Sequence, residues 1–261
     1  GQCVGAQGVS WLIERTQKIL VDRGFVTSRV LATQQDMSQG TLALTVIAGR
    51  IRAIRLALNG KGGIAAQGTT TLTTGDLNND AGYIGSKGVL TATSANISNQ
   101  NGQIQGLDHL TLTAGNGSTT GLINNTGGLI RSAKTNTINA GEINNSTTSG
   151  SNQGLEGQDV SIATAKLNNN NTGAIRANNN VSVTSSGTVD NTSGLISAGN
   201  ALVLQDTQAQ ASRTLAITNK DGMLIADKTL TLAASSLGGD GKVLSKNDLS
   251  VTLNTDFSNS G

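Results

Sequence analysis

The sequence predicts an all-β chain: a right-handed parallel β-helix, a solenoid of about nine ~20-residue coils, preceded by a small α+β segment. Three observations carry this expectation. A small apolar anchor recurs at Ile64, Ile84, Ile104, Ile130, Ile175, Ile196, Leu224 and Val243, with a degenerate fifth anchor near Gly154. Six and eight residues past an anchor stand two further, mostly apolar positions, as in Leu110 and Leu112, Val181 and Val183, Leu202 and Leu204, or Leu230 and Leu232. A closing apolar position follows at Leu77, Ile97, Ile123, Ile143, Leu167, Val189, Ile217, Leu237 and Phe257. Two residues after it stands Asn79, Asn99, Asn125, Asn145, Asn169, Asn191, Asn219, then Gly239, then Asn259.

Physical chemistry selects the solenoid. Leu110-Thr111-Leu112-Thr113 alternates as a short half-buried strand. The Gly and Asn between such runs tolerate the left-handed backbone of tight turns. Stacked coils place like side chains over one another at roughly 4.8 Å, so the aliphatic columns form a narrow interior. The asparagine column (Asn79, Asn99, Asn125, Asn145, Asn169, Asn191, Asn219, Asn259) is expected to run as a hydrogen-bonded ladder. The competing expectation is that Asn only supplies a left-handed turn, as Gly239 would. Long spacings mark insertions at Gly115 to Gly121, Ser146 to Gly154 and Gln205 to Arg213.

Ahead of the solenoid, residues 8–23 read as an amphipathic helix, with Val9, Leu12, Ile13, Thr16, Ile19 and Leu20 on one face and Gly24 as its C-cap. Trp11 is expected to pack under this helix. Phe25 to Leu31, Thr41 to Ile47 and Ile51 to Leu58 alternate as strands, which makes residues 1–57 a small α+β unit. The expected division is therefore 1–57 and 58–261.

The run Asp22-Arg23-Gly24-Phe25-Val26-Thr27-Ser28-Arg29-Val30, then Gln35-Asp36-Met37-Ser38-Gln39-Gly40-Thr41-Leu42, then Gly49-Arg50-Ile51-Arg52-Ala53-Ile54, resembles the periplasmic POTRA region of outer-membrane two-partner secretion transporters. The resemblance implies a truncated POTRA region, the second helix and last two strands of one module and then the opening strand of the next, its motif carried by Asp22, Arg23, Gly24, Arg29, Asp36, Gly40, Gly49 and Arg50. Phe25 stands where the family often has Tyr, and Gln34 and Ala48 where it often has Pro. The first strand, most of the first helix and the membrane barrel have no counterpart. Residues 58–261 resemble the passengers of the same systems: Gly82-Tyr83-Ile84 to Asn99 and Gly222-Met223-Leu224 to Gly239 are similar to filamentous haemagglutinin repeats of adhesins and contact-dependent inhibition toxins. That resemblance implies a β-helical shaft on a bacterial surface, secreted through the outer membrane. A transporter-like and a passenger-like segment in one chain point to a junction near residues 56–62.

Composition narrows the chemistry. Aromatic content is 2% and there is no Pro, which suits thin aliphatic columns and backbone donors committed to ladders. Net charge is +2; residues 1–57 carry seven Arg/Lys against three Asp/Glu, and 58–261 eleven against thirteen. No basic stripe with interleaved aromatics appears, so nucleic acid is not an expected partner. Cys3 is the single cysteine, which rules out an intrachain disulfide and a Cys-based metal cluster. No apolar run reaches transmembrane length, and the chain, opening at Gly1 without a signal-peptide pattern, reads as a fragment or processed piece.

Catalysis finds little support. Asp76, Asp80, Asp108, Asp190, Asp221 and Asp240 are scattered over turns rather than paired at one repeat position, as a carbohydrate-active β-helix would need. His109 beside Asp108 lacks a nucleophile and is expected on a solvated turn. Leu237-Gly238-Gly239-Asp240-Gly241 is faintly similar to the Ca²⁺-binding nonapeptide repeats, but Val243 stands where they need Asp and nothing repeats in tandem. Tyr83 is expected to flank a strand. No catalytic residue, cofactor or metal is assigned. The leading functional expectation is a structural and adhesive shaft; the partners implied are an outer-membrane two-partner secretion transporter and a receptor on a host or neighbouring cell. The alternative is a POTRA-type recognition module that captures an exported chain by strand addition. A carbohydrate-active enzyme is the third.

Overall fold

The computed structural model describes residues 6–22, 29–32, 35, 41–47 and 62–257. The chain divides into two units, residues 1–52 and 53–261.

In the first unit, helix α1 spans Ala6–Asp22. Val9, Leu12, Ile13, Thr16 and Leu20 are half-buried, while Ile19, on the expected apolar face, is 47% exposed. Trp11 does not pack under the helix. It is 55% exposed, with the Arg15 guanidinium 5.2 Å from its ring centroid, a cation–π contact one turn along. Strands β1 (Arg29–Leu31) and β2 (Thr45–Ile47) pair antiparallel with Val30 opposite Val46. Val30 is buried, and its N–H donates to Gln17 Oε1 at 2.9 Å, which ties β1 to α1. The strand expected over 41–47 is shorter than its alternation suggested, because Ala43 pairs instead with a side chain: its N–H donates to Gln35 Oε1 at 2.7 Å and its carbonyl accepts Gln35 Nε2 at 2.9 Å. Of the transporter-like motif, Asp22 ends α1 and Arg29 opens β1; Arg23, Gly24, Asp36, Gly40, Gly49 and Arg50 lie outside the described residues, as do Cys3 and the strand expected over 51–58.

The second unit is a parallel β-solenoid of about nine coils with three faces. The first face holds Gly63–Ala66, Tyr83–Ser86, Gln103–Gly106, Leu129–Ser132, Gly154–Gly157, Ala174–Ala177, Leu195–Ala198, Met223–Ala226 and Lys242–Ser245, each hydrogen-bonded to the next. The second face runs from Thr70–Thr73 to Asp248–Thr252, and the third from Asp76–Asn78 to Ser236–Gly238. In three coils the second and third faces are one ten-residue strand: Thr135–Asn144, Asp159–Asn168 and Val181–Asp190. Pairing is parallel throughout this unit, as expected when each coil returns one step along the axis.

Register places the columns. On the first face Ile64, Ile84, Ile104, Ile130, Leu155, Ile175, Ile196, Leu224 and Val243 are successive partners. The fifth anchor is thus Leu155, not Gly154, which pairs with Leu129 one position earlier. The insertion before it had displaced the count by one residue. On the second face Leu72, Ala92, Leu112, Ile138, Ile162, Val183, Leu204, Leu232 and Val251 stack in the same way. The neighbouring column of that face admits two polar members, Thr70 at its start and Asn136 inside it. Asn136 lies between Leu110 and Val160, fully buried, with Nδ2 donating to the Ile130 and Glu156 carbonyls at 3.0 and 3.1 Å. The third-face column runs from Leu77 to Leu237. Phe257 does not join it and is 53% exposed; in the ninth coil Leu249 and Val251 are also exposed, since no further coil covers them among the described residues.

Because Leu112, Val183, Leu204 and Leu232 are each fully buried in one column, Leu204→Asp places a charge in a dry interior and should cost at least about 3 kcal/mol. A thermal melt or denaturant midpoint equal to the parent's would show that this column is not the core.

Candidate functional site

Two features distinguish this solenoid from a plain stack of aliphatic columns: the corner between the third and first faces, and the loops inserted at two corners. The first corner gathers seven of the asparagines. Asn79 Nδ2 donates to Asn99 Oδ1 and Asn99 to Asn125 at 2.7 Å; Asn125 to Asn145, Asn145 to Asn169, Asn169 to Asn191 and Asn191 to Asn219 follow at 2.8 Å. All seven side chains are buried. The second amide proton reaches a backbone carbonyl of the following coil, as in Asn99 Nδ2 to Leu129 O at 3.0 Å and Asn145 Nδ2 to Ala174 O at 2.9 Å. Asn219 ends the described run on the Lys242 carbonyl at 3.1 Å, because Gly239 follows it; Asn259 lies outside the described residues. At the other end Asn79 Oδ1 is buried with no partner among the described residues.

The left-handed backbone of this corner falls two residues beyond each asparagine. Ala81, Asn101, Gly127, Thr147, Asn171, Ser193 and Asp221 have φ between 47° and 65°, and none of the seven column asparagines has positive φ. Gly239 does, at 98°. Turn conformation and amide bonding are thus assigned to different residues, which the sequence reading had set against each other at one position.

A glycine column, two residues ahead of the first-face anchors, makes the corner possible. Gly102, Gly128, Gly194 and Gly222 lie three residues after an asparagine, and a Cβ on any of them would collide with the carbonyl oxygen of the asparagine one coil earlier. The signal was present as Asn-x-x-Gly in Asn79 to Gly82, Asn99 to Gly102, Asn125 to Gly128, Asn191 to Gly194 and Asn219 to Gly222. Where the insertion after Asn145 removes this glycine, Thr148 substitutes. Its buried hydroxyl donates to Asn145 O at 3.0 Å and accepts Ala174 N–H at 2.9 Å.

The corner between the second and third faces is closed by small hydroxyls. Thr74, Ser94 and Thr164 each donate to the carbonyl two residues on, at 3.1, 2.9 and 3.0 Å. In register with Ser185, the next coil carries Asp206. Its carboxylate takes three backbone N–H groups: Gln208 at 2.8 Å, and Thr214 and Leu215 at 2.6 Å each. The exposed insertion that ends at Arg213 is thereby pinched shut at its base. Burial opposes the charge, but the Leu215, Gln208 and Thr214 donors outweigh it and hold the carboxyl below the usual range. A second insertion is fastened differently. Arg131 and Arg176, outward on the first face, flank Glu156, with Arg131 Nε 2.7 Å and Arg176 Nη1 3.5 Å from its carboxylate. The same guanidiniums reach Asn152 Oδ1 at 3.2 Å and the Gln153 and Ser149 carbonyls at 3.3 Å.

Residues weighed for catalysis are not brought together. His109 lies 3.5 Å from Asp108 with half its side chain exposed, and Asp108 pairs with Lys134 at 2.7 Å, whose hydrogen bond holds its carboxyl below the ordinary range. Asp240 accepts the Asp221 N–H at 3.0 Å. Tyr83 opens a first-face strand and lays its ring over Gly85, where a Cβ would meet it. Among the described residues no group of three or more His, Cys, Asp or Glu could hold a metal, and no helix is long and apolar enough to cross a membrane.

Asn145→Gly should cost about 1–3 kcal/mol, because it leaves Asn125 and Asn169 without their amide partner; a denaturant midpoint equal to the parent's would reduce the column to turn chemistry. Gly128→Ala should destabilise as well, by collision with Asn99 O. Asp206, with its folded pKa lowered, stabilises at neutral pH and loses that contribution as pH falls through the ordinary carboxylate range toward its folded value. Asp206→Asn should therefore flatten the acid limb of a stability-versus-pH curve; an unchanged limb would contradict the clamp.

The haemagglutinin repeat family matches residues 38–118, 108–164, 132–227 and 225–261, and the ShlB-type POTRA domain matches residues 1–49. Outer membrane transporter CdiB-2 of Burkholderia pseudomallei (strain 1026b) is 44% identical over 55 residues, and CdiB of Escherichia coli is 37% identical over 54; each alignment covers 21% of this chain and 9% of the transporter. The chain thus spans about a tenth of the length of these relatives. No solved structure matches. With repeat matches running from residue 38 to residue 261 over a parallel solenoid, the chain belongs to the haemagglutinin repeat family.

Proposed function

We propose that residues 58–261 form a length of shaft in a two-partner secretion exoprotein, an adhesin or a contact-dependent inhibition toxin stalk, exported through an outer-membrane transporter and displayed at the bacterial surface. The observation that carries this reading is the continuous stacking of about nine coils, with a single register shift between Thr164 and Lys166 among the described pairings and with its buried amides spent on holding coil to coil. Such a structure supplies reach rather than chemistry: each coil adds roughly 4.8 Å, and nine make a rod of roughly 40 Å. A receptor on a host or neighbouring cell would be met by inserted loops or by parts of the protein beyond the shaft.

A shaft is modular where an active site is not. Deleting residues 155–174 joins Gly154 to Ile175, the register partner of Leu155, and should leave one cooperative unfolding transition and a rod shorter by about one coil in small-angle scattering. Collapse of the fold, or cleavage of polysaccharides by the intact chain, would overturn this reading, the latter in favour of a carbohydrate-active enzyme.

The ShlB-type match over residues 1–49 favours a second reading for the first unit, a recognition module for an exported chain. One helix and two three-residue strands among its described residues give little area for independent stability. Expressed alone, residues 1–57 should show poor amide-exchange protection. A cooperative transition from that fragment would favour the recognition module.

A further inference from the structure

The sequence contains three Asn–Gly pairs, Asn59–Gly60, Asn101–Gly102 and Asn116–Gly117, and the first lies outside the described residues. An Asn–Gly bond is the peptide most open to attack of a backbone nitrogen on the preceding side-chain amide, because glycine carries no Cβ to obstruct the approach and adopts almost any backbone conformation. What the fold does with the nitrogen and its surroundings then decides whether reaction occurs.

At Asn101–Gly102 the fold blocks it. The Gly102 N–H donates to Asn99 O at 3.1 Å, and Asn101 N–H to Thr126 O at 3.0 Å. Gly102 is buried in the asparagine corner, where even a methyl group would strike Asn79 O. Asn116–Gly117 is the opposite case. It opens the insertion that bridges the second and third faces, and Asn116 is exposed. The Asn116 backbone is held, its N–H donating to Thr120 Oγ1 at 2.8 Å and its carbonyl accepting the Thr119 hydroxyl at 3.1 Å, but its side chain makes no cap and the Gly117 nitrogen has no hydrogen-bond acceptor among the described residues. A Cβ on Gly117 would meet nothing within 4 Å. The far side of the loop is anchored to the next coil, Thr120 O accepting Gly141 N–H at 2.8 Å and Gly121 O accepting Glu142 N–H at 3.0 Å.

We propose that Asn116 is a site of spontaneous covalent modification, the one described Asn–Gly pair that the fold leaves free to cyclise and deamidate. The Gly117 nitrogen, losing its proton, bonds to the Asn116 side-chain carbonyl carbon; the bond from that carbon to Nδ2 breaks and ammonia leaves with the proton. Water then opens the succinimide to aspartate or isoaspartate. The product places a negative charge on the loop tip, and isoaspartate lengthens the backbone there by one atom. The anchored Thr120–Gly121 end keeps the coils beneath in register.

The test is peptide mapping by mass spectrometry of the intact chain, aged in mildly alkaline buffer, with parallel aliquots in urea. In the folded chain Asn116 should convert at least about tenfold faster than Asn101. In urea the two should convert at similar rates. Comparable rates at both sites in the folded chain, or an unmodified Asn116 that converts only in urea, would overturn the proposal.

Discussion

One hydrogen bond, from the amide of one asparagine to the amide of the next, sets the terms for the rest of this solenoid. It demands that the asparagines be buried, superimposed and one interstrand step apart. A buried amide with a missing partner is costly, so a coil that slipped by one residue would forfeit the bond on both sides. The aliphatic columns favour the same register but tolerate exchange among Leu, Ile, Val and Ala, as the run Leu72, Ala92, Leu112, Ile138, Ile162, Val183 does. Apolar burial provides the driving force, and the amide column adds direction to it.

The glycines follow from that bond. Bringing the chain past the asparagine and onto the first face requires the backbone to pass so close to the preceding coil that a side chain is excluded. Thr148 shows the alternative, a hydroxyl doing by its oxygen what close backbone passage does elsewhere. The left-handed position is under no such demand. Ala, Asn, Gly, Thr, Ser and Asp all occupy it, at the cost of local strain for the residues that carry a Cβ.

Much of this was legible in the sequence, because a solenoid writes its register as a repeat. The columns, the three insertions and the asparagine spacing could be read from Ile64 to Leu237 without coordinates. The fifth anchor could not, since an insertion in front of Leu155 shifted the count and a glycine stood where the eye expected an anchor. Asn136 interrupts a leucine column and gave no sign that it would be inside. Asp206 carries no signal of its own in the sequence; only its register with Ser185 reveals it as the member of a hydroxyl column that closes a loop. Trp11 was misjudged because a large apolar ring was assumed to seek cover, whereas Arg15 one turn along offers its guanidinium instead. The transporter-like segment was legible by resemblance, and its short pairing is set by Gln35, a side chain that no alternation pattern reports.

The two insertions between the second and third faces, around Asn116 and around Gln210, emerge from the same edge of the solenoid, leaving from the strands Leu110–Ala114 and Ala201–Asp206. The strands Thr135–Asn144, Asp159–Asn168 and Val181–Asp190 stand between them, so the loops are four coil steps apart, about 19 Å. That separation is not free to vary, because it is counted in hydrogen-bonded steps. Two weak contacts presented at a fixed spacing act as a bivalent ligand, whose second attachment is governed by geometry rather than by concentration. The solenoid is therefore also a ruler: adding or removing a coil between the loops would change their separation by about 4.8 Å while leaving every loop residue as it was.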